Sequence, residues 1–331
     1  MRLAFLLLIF ALAPGESQSA TLFAGAVNVR SFGAKGDGRT DDFAALEGTI
    51  EASAKTGRQI LLPAGTYTIS RPLVIPNKTQ LFGVGRGDPG INTVIKALPN
   101  FPPAGAVVTL GDVNPSFGVR VENLTIDGSG IAATCLENRV SEEQSAGRDL
   151  LLTNCTRDPL LVAGGGAQNS GPFEDLEIYP GPARATTVCV RIENVIGFRG
   201  IRGLTCNAGD KQKRPNVAMA LDGGGLYSDI HVEHFATALS LGSAVTSADS
   251  MTIINGQFGP DVDTGISINP RPGNQNITVI GMSCVGCRRL LFDGIKGVTD
   301  DHTSLGMYAL GDGTGSSKPV IANAQGVHTH R

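Results

Sequence analysis

A polar residue followed by apolar, variable, apolar recurs through the middle of the chain. Its clearest copy is Asn123-Leu124-Thr125-Ile126, closed by Asp127-Gly128. Further copies start at Asp149, Asp175, Gly203, Asp229, Ser250 and Asn276. The first apolar positions are Leu124, Leu150, Leu176, Leu204, Ile230, Met251 and Ile277, with steps of 26, 26, 28, 26, 21 and 26 residues. Strict alternation predicts short, half-buried strands. A period of this size predicts a solenoid, in which each strand hides its apolar face only by stacking on the next coil. A second series trails the first at 160–162, 219–221, 239–241, 266–268 and 290–292. Asp222, Gly242, Asn269 and Asp293 follow it closely and read as turn residues. Each coil therefore holds at least two strands, and strands of successive coils stack about 4.8 Å apart. The competing β-sandwich needs hairpins, and Asn255-Gly256 is the one Asn-Gly hairpin signal in the chain.

The pattern differs at the two ends. Phe43, Leu46 and Ile50 share one helical face, and the helix they predict ends near Thr56-Gly57. Thr40 or Asp41 serves as its cap, with carboxylates near the positive end of the dipole. Short strands follow on both sides of Pro63-Ala64-Gly65, then at 73–76 and 79–83. Gly83-Val84-Gly85-Arg86-Gly87 looks superficially like a phosphate loop, but it lacks the Lys-Ser/Thr pair and no βαβ unit follows. Met1-Arg2 and the apolar run from Leu3 to Ala13 read as a secretory leader over residues 1–20, with cleavage somewhere in 19–26. That run is shorter than the roughly 20 residues a spanning helix needs, and no later run is long enough. Residues 27–311 are read as the β-helix domain, and 312–331 as a cap or loose tail.

The N-terminal block resembles the pectate lyase superfamily domain, shared by polygalacturonase-like and rhamnogalacturonase-like proteins and by phage tailspikes. The residues that carry the resemblance are Phe32-Gly33-Ala34-Lys35-Gly36-Asp37-Gly38, Thr40-Asp41-Asp42, Leu62-Pro63-Ala64-Gly65-Thr66-Tyr67 and Leu81-Phe82-Gly83-Val84-Gly85. They span about residues 27–90. The resemblance implies an all-β fold, a right-handed single-stranded parallel β-helix plugged at its N-terminal end by the short helix. It also implies that this block is architectural, so Asp41-Asp42 is not the catalytic pair.

Composition narrows the partners. Apolar residues make up 41% of the 331, which excludes a disordered chain. The 44 glycines lack a G-X-Y period and fit a turn-rich β protein. A formal net charge of −3 offers no basic field for nucleic acid. Six cysteines in an exported chain suit either disulfides or buried thiols. Cys206 falls at an inward position and reads as core. Cys284 and Cys287 have CxxC spacing without a second such pair, which favours a local disulfide or packing over zinc.

Side chains alternate across a strand, so the variable positions face out. The first outward column reads Thr125, Leu151, Glu177, Thr205, His231, Thr252, Thr278, and the second reads Asp127, Thr153, Tyr179, Asn207, Glu233, Ile254, Ile280. Chemistry concentrates in the middle rungs. Glu177 and Glu233 are the candidate acid-base pair, oriented by His231 or Tyr179, and Thr205 and Asn207 are candidate sugar contacts. The Glu177 and Glu233 backbones are predicted roughly 12 Å apart, and with long side chains this suits inversion better than retention. The alternative is a solvated polar face. Lys211, Lys213 and Arg214 form a basic knob beside the cluster that would attract uronates. Asp261-Val262-Asp263 reads as a turn rather than a Ca²⁺ loop.

No Asn-Thr-Asp, Gly-His-Gly or Arg-Ile-Lys motif of the polygalacturonase branch is present. The expectation is an exported protein, secreted or periplasmic, acting on a polysaccharide. Hydrolysis stands ahead of elimination, and a non-catalytic glycan-binding β-helix is the alternative. No metal or cofactor is required, although a lyase admits Ca²⁺.

Overall fold

The computed structural model describes residues 25–242, 251–268 and 277–284, apart from 89, 140–141, 168, 182–184 and 210–211. Farther on it describes the strands Arg289–Asp293, Leu305–Ala309, Ile321–Ala322 and Val327–His328. The expected leader over 1–20 lies outside the described residues. The last two strands continue the parallel pairing into the segment expected as a cap or tail.

Two parallel sheets wind the chain into a right-handed β-helix. The first carries the long strands Arg120–Asp127, Ala146–Thr153, Phe173–Tyr179, Gly200–Asn207, Gly225–Glu233, Met251–Phe258 and Ile277–Cys284, hydrogen-bonded in that order. The second carries Thr134–Asn138, Leu160–Ala167, Val190–Ile196, Val217–Gly223, Thr237–Leu241 and Thr264–Ile268. The chain visits the sheets alternately, so neighbours within a sheet always come from successive coils.

Inside each long strand, past its first residue, lies one residue in the left-handed region: Asn123, Asp149, Asp175, Gly203, Asp229, Asn255 and Gly281, with φ between 50° and 70°. These residues drop out of the ladder. Glu122 pairs with Arg148 and Leu124 with Leu150, while Asn123 is skipped. The strand turns at that point and gives the coil a third face. Asn, Asp and Gly tolerate this conformation where larger side chains do not. The polar start of every repeat thus answers a backbone requirement.

The same column corrects the expected register. Ile230 pairs with Gly256, and Gly256 with Met282, so the step of 21 residues to Met251 is wrong. The true step is again 26. Gly256 hides this because it lacks the apolar side chain the pattern seeks. Met282 and Phe258 fill its place, and a Cβ there would lie 2.5 Å from the Met282 sulfur. Asn255-Gly256 is therefore a bend within one strand, not a hairpin. Thr252, Thr278, Ile254 and Ile280 leave the two outward columns, and Gln257 and Ser283 continue the first.

The inward positions form one continuous core running from Val29 to Met282. Truncating one of its leucines, such as Leu176, costs about 2–5 kcal/mol. Phe173, Phe198 and Tyr227 stack along it, with ring centroids 6.0 and 6.4 Å apart. Burial pushes the Tyr227 hydroxyl up from its ordinary range. Disulfides join Cys135 to Cys155 and Cys189 to Cys206, and Cys284 is disulfide-bonded as well. Cys206 is core, as expected, but as half of a crosslink between the two sheets.

The N-terminal helix α1 spans Phe43–Thr56 and buries Phe43, Leu46 and Ile50 over the first coil. It starts after Asp42, one residue later than expected, and Asp42 makes no side-chain cap. Instead, Asp42 is buried and accepts the N–H groups of Lys35 and Gly36 at 2.6 and 3.0 Å. Desolvation nevertheless pushes its carboxyl up from the ordinary value. Gly57 closes the helix in a left-handed conformation, its N–H donating to Ser53 O.

Candidate functional site

The outward face of the first sheet brings together most of the residues expected to act there. The pairings Glu177–Thr205–His231 and Asn207–Glu233 hold across three coils. His231 Nε2 lies 2.9 Å from Glu233 Oε1, and Asn207 Nδ2 donates to Glu233 Oε2 at 2.7 Å. Asn207 in turn accepts the Gly209 N–H, which fixes its amide. Tyr179 stands exposed one strand before Asn207. Glu177, however, is drawn away from this group.

Its partner is Arg86, from the loop with three glycines that looks like a phosphate loop. Arg86 contacts Glu177 at 3.2 Å and Asp149 at 2.8 Å, and donates to the carbonyls of Leu150 and Asp175. The loop lies close on the sheet. A Cβ on Gly83 would meet Asn123 O at 2.2 Å, and Gly87 N donates to Thr125 Oγ1. Thr125 and Asp127 keep their outward register but are buried, Thr125 beneath this loop and Asp127 against Lys96. The glycines of this loop serve close backbone approach, and its arginine straps the loop across two coils.

The basic knob divides in the same way. Arg214 bonds Asp263 Oδ2 at 2.6 Å and turns toward the Asp261 corner two coils on. Lys213 is exposed, and Lys211 lies outside the described residues.

The second sheet holds a feature the sequence reading missed. Two adjoining concavities of about 310 and 280 Å³ run along its outer face and share Arg191 and Glu193. The first is lined by Arg139, Arg157, Asp158, Leu161, Arg191 and Glu193. Asp158 is buried and accepts from Arg157 Nε at 2.7 Å and Arg191 Nε at 2.8 Å. The second includes Asn194 and Asp222. Glu193 and Asp222 directly follow Ile192 and Leu221, which pair across neighbouring strands. The rungs at 136–138 and 190–192 were absent from the predicted second series, so Glu193 was never placed on the strand next to that of Asp222, where the register shifts after Ile192. The signal was present in Val190-Arg191-Ile192, which alternates like its neighbours.

Comparison with known proteins agrees with this fold. Residues 26–145 match the family described as Rhamnogalacturonase A/epimerase, pectate lyase-like. A probable glucan endo-1,3-beta-glucosidase of Arthroderma benhamiae is 30% identical over 174 residues, 45% of this chain and 18% of its own length. Alginate lyase 7 of Azotobacter vinelandii is 32% identical over 111 residues, 31% of this chain and 12% of its own. The chain thus spans less than a fifth of either relative. Among solved structures, a tailspike protein of Escherichia coli bacteriophage HK620, in complex with a pentasaccharide, superposes with a TM-score of 0.58 at 11% identity. That match covers 91% of this chain and 65% of the tailspike. Residues 26–145 are a pectate lyase-like module, and the coils that follow continue its right-handed parallel β-helix.

Proposed function

We propose that the chain acts on a polysaccharide, cleaving a glycosidic bond in the groove of the second sheet, with Glu193 and Asp222 as its acid-base pair. The observation that carries this reading is the groove itself, two adjoining concavities that share Arg191 and Glu193 and whose linings mix carboxylates with guanidiniums. Together they reach the range of about 300–1,000 Å³ typical of ligand clefts. Sugar hydroxyls both donate and accept, and a lining that mixes arginines with carboxylates answers both demands. Carboxyls on adjacent strands suit hydrolysis. One gives its proton to the departing glycosidic oxygen, while the other takes a proton from the attacking water. The relatives named for acting on glucan and alginate support the substrate class.

The test is reducing-end release from a panel of polysaccharides. Glu193→Gln and Asp222→Asn should abolish it, and wild-type turnover in both removes the groove as the catalytic site. Glycan affinity without products supports a binding module instead. An ultraviolet absorbance rise from an unsaturated uronate supports elimination.

The bonded trio His231–Glu233–Asn207 favours a second reading. There, Glu177 and Glu233 catalyse, His231 or Tyr179 orients, and Thr205, Asn207, Lys211, Lys213 and Arg214 bind the chain of sugars. Loss of turnover in Glu233→Gln, with Glu193→Gln unaffected, selects it. Export to the periplasm or beyond belongs to either reading and is supported by the disulfides Cys135–Cys155 and Cys189–Cys206. A fusion of the leader to a reporter active only outside the cytosol tests it.

A further inference from the structure

We propose that the strip of the first sheet lying ahead of the left-handed bend is a self-pairing surface, on which a second copy of this chain docks with its coils stacked in the opposite direction. The strip is apart from both candidate catalytic faces, so the inference depends on neither.

The residue just before each bend points outward, because the one preceding it, such as Val121, Phe173, Ile201 or Tyr227, is buried in the core. These outward residues stack on one another from coil to coil. Glu122, Arg148, Glu174 and Arg202 occupy four successive rungs and alternate in charge. On the N-terminal side the column continues through Phe82, Leu61 and Asn28. On the other side it continues through Ser228, Ile254 and Ile280, the last a large apolar side chain open to solvent. Charges fill the centre of the strip, and apolar residues lie toward both ends.

That order is its own complement when reversed. Consider a half-turn about an axis that runs along the strands, between the Arg148 and Glu174 rungs. It sets Arg148 of each copy against Glu174 of the other, and Glu122 against Arg202. Farther out, Leu61 meets Ile254, Phe82 meets Ser228, and Asn28 meets Ile280. In the neighbouring column, two residues earlier, Arg120 falls opposite Gly200, where no side chain blocks it. Rungs are spaced about 4.8 Å in both copies, so the match holds along the whole strip. A half-turn about the coil axis keeps the rungs level instead. It sets Glu122 on Glu122 and Arg148 on Arg148, and like charges so placed cost several kcal/mol.

Within one copy these charges are loosely used. Arg148 and Arg202 both reach Glu174, yet both arginines stay more than half exposed. Exposed pairs of this kind add little to the stability of a fold. Between two copies, the charges would fix direction and register, and the apolar ends would supply the burial. The column from Asn28 to Ile280 is about 43 Å long at that rung spacing, and the strand ahead of the bend is about 15 Å wide. The flat area is then roughly 650 Å² per copy, close to the about 800 Å² a side of a standard interface.

The experiment is sedimentation of the full-length protein across the micromolar range. A dimer is expected, weakened as salt rises from about 0.1 to about 1 M. Glu122→Arg with Glu174→Arg makes the strip all positive, and Arg148→Glu with Arg202→Glu makes it all negative. Each double variant alone should raise the dimer dissociation constant at least about a hundredfold. Mixing the two in equal amounts should restore association, which also shows that both are folded. Direction is read from Leu61→Cys and Ile254→Cys proteins with a short thiol-to-thiol crosslinker, which should join them when mixed and neither when alone. A monomer throughout the range, a dimer indifferent to the charge variants, or a mixture of the two that stays monomeric overturns the surface. Crosslinking of either cysteine variant to itself overturns the reversed stacking.

Discussion

The two outer faces of this β-helix carry similar inventories and differ in how those side chains are used. On the first sheet the charged groups are occupied by the protein itself. Glu177 holds Arg86, and Glu233 accepts from His231 and Asn207. On the second sheet Asp158 is equally committed and Glu193 lies 3.6 Å from Arg191, but there Arg157, Arg191, Glu193 and Asp222 line two adjoining concavities instead of a covered face. A cluster of chemically capable residues is therefore weak evidence of a site until their partners are known. The side chains that matter are those whose bonding leaves something over for a ligand.

The contrast can be broken most decisively by turnover. Glu193→Gln or Asp222→Asn should cost about 10²- to 10⁴-fold in rate, the range for losing a general acid or base. Glu177→Gln and Glu233→Gln should stay within a few-fold, and reducing-end assays on all four decide between the faces. A smaller effect is expected from parting the faces physically. Replacing Cys189 and Cys206 together by Ser removes the crosslink between the sheets and should lower stability by about 2–4 kcal/mol in denaturant titrations. Equal stability would mean that the stacked coils alone hold the two sheets together.

Arg86→Gln tests whether Glu177 is part of a fastening. The ion pairs are more than a third exposed on the carboxylate side and contribute little after solvent screening. The substitution also removes the bonds from Arg86 Nη1 to the Leu150 and Asp175 carbonyls, so a loss of about 1–2 kcal/mol is expected, with faster proteolysis in the loop 83–92. The smallest effect is expected at His231. His231→Gln should change turnover less than about twofold and stability by less than about 0.5 kcal/mol, as for ordinary surface substitutions. A large drop in turnover there would return the chemistry to the first sheet.

Most of the architecture was legible because stacking imposes a period on every inward position. Leu124, Leu150, Leu176, Leu204 and Ile230 announce it, and Phe43, Leu46 and Ile50 announce the helix that plugs it. The reading slipped at Gly256, where packing is supplied by Met282 from the next coil and the position itself shows no apolar residue. The αL column would have prevented the slip, since Asn255 continues Asn123, Asp149, Asp175 and Asp229. The site was less legible. Arg86 meets Glu177 across 91 positions of sequence, and nothing local marks that contact. Glu193 was hidden by a missed rung, and Asp222 looked like a turn residue because the strand beside its own, Val190–Ile196, had not been identified.

The left-handed residue in each long strand has a consequence for how such a chain can change. It sets the angle of the coil at one fixed point, while the connections elsewhere bear no such demand. Leu204 follows Leu176 by 28 residues instead of 26, yet the two still pair in register, so the extra length is absorbed outside the bend. New loops can therefore be grafted between the sheets, along the rim of the groove, without disturbing the stack beneath. Specificity can drift through insertions at the corners, while an Asx or Gly at the bend keeps every coil the same shape.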